Sequence, residues 1–157
     1  MEIKTEKLPA EQYQMIMDVM PITTVEIIFF NPDKTKVLLG KRTNEPLKGI
    51  FYTMGGRLLK NETFVEAAIR QAKVEAGLNI SPDLIYFGGI NDEIHTHSAF
   101  PNINYHAANI FYGTIIDDQK ITLDNQHSEY AWLDITDPTL HPNIKYKVNK
   151  TAIALTH

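Results

Sequence analysis

An α/β fold of the α+β kind, with helices packed on a mixed sheet, is the class this sequence predicts. Three observations predict it. Short runs rich in β-branched and aromatic residues recur along the chain, the densest being Thr23 to Phe30. A strongly amphipathic helical pattern stands mid-chain, between strand signals. A second helical pattern follows the last strand signal, over Ile144 to Leu155. Strands, one central helix, more strands and a closing helix form a sandwich around a sheet.

The elements follow in order. Pro9 to Met20 places Tyr13, Ile16, Met17 and Met20 on one side of an N-terminal helix. Thr23 to Phe30 is a buried strand. Asn31-Pro32-Asp33 is a turn, and Val37 to Gly40 returns as its hairpin partner. Gly49 to Thr53 is a short extended piece ahead of Gly55-Gly56. Thr63 caps the central helix, and Glu66 three positions on closes a capping box. Val65, Ala68, Ile69, Ala72 and Ala76 form its apolar face, and Gly77 ends it in a left-handed conformation. Leu84 to Ile90, Tyr105 to Ile116 and Tyr130 to Leu133 are further strands. Asn91 to Asn104 is read as a polar loop carrying Asp92, Glu93, His95 and His97.

The 157 residues, 1–157, read as a single domain with a core of its own. Net charge is −4 and no basic stripe forms, which disfavours a nucleic-acid partner. There is no cysteine, so thiolate metal sites and disulfides are excluded. Met1 to Glu6 lacks a signal-peptide core, and no apolar run approaches ~20 residues. The expectation is a cytoplasmic protein with no membrane contact.

The chemistry concentrates between Gly55 and Leu78. From Gly56, Glu62 follows after five residues and Arg70 after seven more; Glu75, Gly77 and Leu78 complete the pattern. A Gly-Gly turn lets backbone approach a ligand and offer a carbonyl. Gln71 and Glu75 lie one helical turn apart, on a side away from the apolar stripe. Glu75 is thus a candidate ligand for a hard cation, which takes oxygen donors and keeps several waters. Glu62 and Arg70 read as scaffold for the loop.

These anchors resemble the box of the Nudix hydrolases, with Gln71 and Val74 standing where two glutamates belong. The resemblance is strongest to the GDP-mannose mannosyl hydrolase branch. It is carried by Leu38 to Asn44 with Pro46, by Gly55-Gly56-Arg57 and Lys60 to Thr63, by Arg70 to Gly77 with the same two losses, and by Asn125-Gln126-His127 with Tyr130 and Trp132-Leu133. It covers roughly residues 18 to 135.

The resemblance implies a Nudix-like mixed-sheet α/β/α sandwich and a homodimer. It implies hydrolysis of a nucleotide sugar, GDP-mannose or GDP-glucose, by water attack at the anomeric carbon with inversion. The metal would be magnesium, Mg2+, with manganese, Mn2+, as the alternative, held by Glu75, the Gly55 carbonyl and Gln126. His127 maps onto the family's base. Arg42 and Arg57 map onto arginines that grip the diphosphate. Glu26 stands where the branch has an aspartate near the sugar, and binds a sugar hydroxyl or pairs with an arginine. A family tyrosine near the phosphates maps onto His106, and a family histidine near the sugar has Asp92, Glu93, His95 or His97 as stand-ins. Two alternatives remain open at this point: a pyrophosphatase cutting at phosphorus, and a module that binds nucleotide sugars without turnover.

Overall fold

The computed structural model describes residues 1–117 and 127–156, and the backbone alone of 127 and 128. Three helices and seven strands follow one another as α1 (Ala10–Val19), β1 (Ile22–Phe30), β2 (Lys36–Arg42), β3 (Phe51–Tyr52), β4 (Met54–Arg57), α2 (Phe64–Ala76), β5 (Tyr86–His95), β6 (Tyr105–Ile115), β7 (His127–Asp134) and α3 (Pro142–Ala154). A 3-10 turn, Pro82–Leu84, precedes β5. The strands form one mixed sheet in the order β3-β2-β1-β6-β5, with β4 paired to β1 and β7 to β2. β6 runs parallel to β1 along the whole of β1, from Ile22↔Ala107 to Phe30↔Ile115, and the other pairs are antiparallel. The α/β sandwich expected from the sequence is the observed fold.

Side chains alternate across the sheet, so β1 feeds two cores. Val25, Ile27 and Phe29 pack with Ala67, Ala68, Ala72 and Ala76 of α2. Ile28 and Phe30 pack on the opposite face with Ile144 and Val148 of α3. Glu26 shares the parity of Ile28 and Phe30, which turns it toward α3. Helix α1 covers a smaller cluster of Met17, Ile22 and Ala107.

The capping box forms as expected: Thr63 Oγ1 accepts from Glu66 N, and Glu66 Oε2 accepts from Thr63 N at 2.8 Å. Gly77 closes α2 at φ 69°, with Gly77 N donating to Lys73 O and Leu78 N to Ala72 O. Gly77→Ala is expected to cost about 1 kcal/mol through the left-handed backbone, read as a lower urea midpoint with an unchanged slope.

One element differs from the sequence reading. Asn91 to His95 is not loop but the second half of β5, paired with β6 from Asn91↔Asn109 to His95↔Tyr105. Its alternation was disguised because the inward set, Asn91, Glu93 and His95, is polar, while Ile90 and Ile94 are exposed on the outer face. The inward polar residues meet a polar chamber rather than a core.

Candidate functional site

Three backbone features build the site. β1 and β4 are antiparallel with Glu26 opposite Gly55 and Val25 opposite Gly56. A Cβ at Gly55 would lie 2.5 Å from Val25 O, so only glycine permits this approach. The C-terminal end of β2 brings Arg42 beside this turn. Helix α2 runs beneath it.

Beneath the turn, Glu75 Oε2 accepts from Gly55 N at 3.1 Å. With its amide oxygen turned toward the donors, Gln71 gives Nε2 to Glu75 Oε1 at 2.9 Å and accepts from Gly56 N at 3.3 Å. Both residues are buried, at 5% and 2% exposure. They were expected on a side of α2 away from the apolar stripe, but they share its buried face with Ala67, Ala68, Ala72 and Ala76 and lie under the glycine turn. Val74, in the other altered position, is exposed. Arg70 forms a two-point pair with Glu62, Nε to Oε1 at 2.5 Å and Nη2 to Oε2 at 2.9 Å, and also donates to Arg57 O. Glu62 Oε2 accepts from Leu59 N. That pair pins the loop between β4 and α2 to the helix.

A cleft of about 550 Å³ opens over the turn, lined among others by Thr24, Arg42, Gly55, Gly56, Arg57 and Tyr105. Arg42 Nε donates to Pro46 O at 2.7 Å, which fixes the stem of the guanidinium at the cleft wall. The Arg57 guanidinium lies 5.9 Å from the Tyr13 ring centre. Tyr105, not His106, lines the cleft. The parity of β6 accounts for this: His106 is opposite Ile94, on the face that β5 turns outward.

Deeper, a chamber of about 40 Å³ is bounded by Glu26, Arg42, Tyr52, Glu93, His95 and Tyr105, among others. Behind its two carboxylates lies a residue absent from the sequence reading. Lys147 of α3 is fully buried, and its Nζ lies 2.5 Å from both Glu26 Oε2 and Glu93 Oε1. Glu26 therefore pairs with a lysine, not an arginine. Thr53 Oγ1 donates to Glu26 Oε2 at 2.5 Å, and Tyr52 OH donates to Glu93 Oε1 at 2.6 Å. Asn143 Nδ2 donates to Tyr52 OH in turn. Burial pushes the Glu26 carboxyl up; Lys147 opposes this and Glu93 reinforces it. Burial acts the same way on Glu93, but His95, Lys147 and Tyr52 together overcome it and hold that carboxyl at about 2. Burial, with Glu26 and Glu93, raises the Tyr52 and Tyr105 hydroxyls well above their ordinary range.

A signal for Lys147 was available. Ile144, Lys147, Val148 and Thr151 fall at i, i+3, i+4 and i+7, so the lysine occupies a position on the apolar face. Its partners lie 121 and 54 residues away in sequence, which no local pattern connects.

The other candidates divide as follows. Glu26, Arg42, Gly55 and Arg57 come together around the cleft and chamber. Glu75 lies under the same turn. Gln126 lies outside the described residues. The His127 backbone opens β7 opposite Arg42, and its side chain lies outside the description. His95 reaches the chamber wall, whereas His97 lines a neighbouring surface groove that shares Glu45, Ser98 and Ala99 with the cleft.

A family model, the NUDIX domain, matches residues 20–153. The chain belongs to the Nudix hydrolase superfamily. It is 28% identical over 143 residues to the low-salt glycan biosynthesis protein Agl8 of Haloferax volcanii, across 90% of this chain and 88% of that one. The fold is similar to the NUDIX domain of Shewanella oneidensis NrtR, crystallised with ADP ribose, at TM-score 0.67 and 17% identity, over 94% of this chain and 99% of the other. It is similar to a MutT protein from Methanosarcina mazei Go1 at TM-score 0.68 and 17% identity, over 86% and 96%.

Nudix hydrolases generally use divalent metal ions. The donors at the Gly55-Gly56 turn suit such an ion in kind, since Glu75 and backbone carbonyls are hard oxygens. Among the described residues no three histidine, aspartate or glutamate side chains converge.

Proposed function

We propose that this Nudix protein is a metal-dependent hydrolase of a nucleotide sugar, most simply GDP-mannose or GDP-glucose, releasing the nucleoside diphosphate and the free hexose. The observation that carries the reading is the depleted carboxylate set: Glu75 stands under the glycine turn with an amide at 71 and an aliphatic residue at 74. Attack at phosphorus profits from several ions that neutralise the centre and ready the water. One ion and two arginines suffice for a different task, accepting a departing diphosphate. Attack then falls on the anomeric carbon, with inversion.

Each residue has a part in this scheme. Glu75, the Gly55 carbonyl and Gln126 would hold the cation, magnesium or manganese, which supplies positive charge to the leaving diphosphate. Arg42 and Arg57, on the cleft wall, grip phosphate oxygens through charge-assisted hydrogen bonds. Their attraction grows as charge builds on the leaving group, which lowers the barrier. Glu26, at the chamber, accepts a hydrogen bond from a sugar hydroxyl. His127 takes the proton of the attacking water, a task that an imidazole suits near neutral pH. The glycan-biosynthesis relative is in keeping with a nucleotide sugar as substrate.

Phosphorus NMR of the protein with magnesium and GDP-mannose tests the reading. GDP as the sole phosphorus product is expected. GMP with mannose 1-phosphate would mean attack at phosphorus and overturn it. No turnover of GDP-mannose or GDP-glucose would leave the binding-module alternative in its place.

A further inference from the structure

Lys147 spends one oxygen of each of its two carboxylate partners. Glu26 Oε2 takes the ammonium and the Thr53 hydroxyl, and Glu93 Oε1 takes the ammonium and the Tyr52 hydroxyl. No described residue hydrogen-bonds to Glu26 Oε1. Glu93 Oε2 faces His95 Nε2 across 3.9 Å, beyond hydrogen-bond reach, and that buried nitrogen has no partner. The charge pattern along the cavity is polarised. Lys7, Arg42, Lys48 and Arg57 border the outer cleft with a single carboxylate, Glu45, while Glu26 and Glu93 border the chamber within, with Arg42 at its mouth and His95 on its wall. Two carboxylates against Lys147 and Arg42 leave the inner end balanced and rich in acceptors, while the excess of cations that draws phosphate lies at the outer end.

We propose that Lys147 is a positioning residue of the site, clamping Glu26 and Glu93 so that their remaining oxygens present paired acceptors to the hydroxyl-bearing end of the substrate. The clamp makes α3 part of the recognition machinery. It also orients the ligand, with the diphosphate held at the outer arginines and the polyol inward. This rests on the nucleotide-sugar reading for the ligand, but the clamp itself does not depend on it.

Two arms separate these. The first needs no substrate. Protein carrying 15N-lysine should show one ammonium resonance protected from solvent exchange, absent in Lys147→Met and displaced in both Glu26→Gln and Glu93→Gln. A missing protected signal, or one indifferent to both glutamine variants, would overturn the clamp. In metal-free protein, where turnover is blocked, GDP-mannose should displace that resonance and GDP should leave it in place. Displacement by both or by neither would overturn the orientation, even if phosphorus NMR of the parent shows hydrolysis.

The second arm is kinetic. Lys147→Met alone leaves two carboxylates without their cation, so the Lys147→Met/Glu93→Gln double variant serves as the folded counterpart with matched charge. It is expected to bind GDP within about threefold of the parent. Its kcat/KM for GDP-mannose should fall about 100-fold, the scale of a misplaced contact. Parent-like kcat/KM, or equal losses in GDP binding and sugar turnover, would reduce Lys147 to a structural group. If the parent hydrolyses no nucleotide sugar, the function reading fails, and the resonance arm still decides the clamp.

Discussion

Lys147→Met is expected to lower the unfolding free energy by about 3–5 kcal/mol, because removing one partner strands the buried charges of the others. For a chain of this size that is a fall in Tm of roughly 10 °C. Glu26 and Glu93 are 7% and 3% exposed, so water cannot replace the ammonium without opening the sheet edge against α3. The loss has a pH signature. In the parent, the Glu93 carboxyl is held at about 2 against an ordinary 4.5. A depressed carboxyl contributes stability that is present above its unfolded value and lost as pH falls toward its folded one. The Glu93 contribution should therefore be lost between about pH 4.5 and 2, while Glu26, raised by burial, acts in the opposite sense as pH falls through its own range. Without the ammonium that depression weakens, and protonated carboxyls need no counter-charge. The gap between variant and parent should be widest near neutrality and narrow in acid. Adding Glu93→Gln to Lys147→Met should restore part of the loss at pH 7. Urea unfolding of the three proteins across pH measures all of this; a pH-independent gap would show that the lysine contributes packing rather than charge.

His127→Ala and Glu75→Gln form the second pair of large effects, and they should fail differently. Removing a general base costs about 10²–10⁴-fold in turnover. His127→Ala should therefore lose kcat while GDP still binds with near-parent affinity, since the arginines and the glycine turn remain. Glu75→Gln removes the only carboxylate beneath the turn among the described residues. It should lose several kcal/mol of leaving-group stabilisation, about 10²–10⁴-fold in rate, together with the magnesium dependence of GDP binding. Calorimetric titration of GDP with and without magnesium, beside steady-state kinetics, separates the two. An active His127→Ala protein would remove His127 from the mechanism.

Much of this protein could be read locally. The capping box Thr63/Glu66, the Gly77 stop and the alanine stripe each depend on residues within one or two helical turns, and α2 forms as they dictate. The anchors Gly56, Glu62, Arg70 and Glu75 depend on the same short range, so the turn and its Arg70–Glu62 brace could be placed from spacing, whereas the burial of Glu75 could not. Even the even–odd parity of β1, which sends Glu26 away from α2, is written in eight consecutive residues.

The far end of the site is another matter. Asn91 to His95 has a strand's period but a loop's composition, and only a polar chamber on the inner side reconciles the two. Tyr105 in place of His106 at the cleft follows from the register of β6 against β5, not from distance along the chain. Lys147 shows the limit most clearly. A lysine on an apolar helix face is anomalous in sequence, but nothing nearby names its partners. Sequence alone determined the turn, its helix and the depleted box, because their contacts are short-range. The three-way clamp of Glu26, Glu93 and Lys147 was decided only when β1, β5 and α3 packed together, because a buried charge is stable only where tertiary structure delivers its counter-charges.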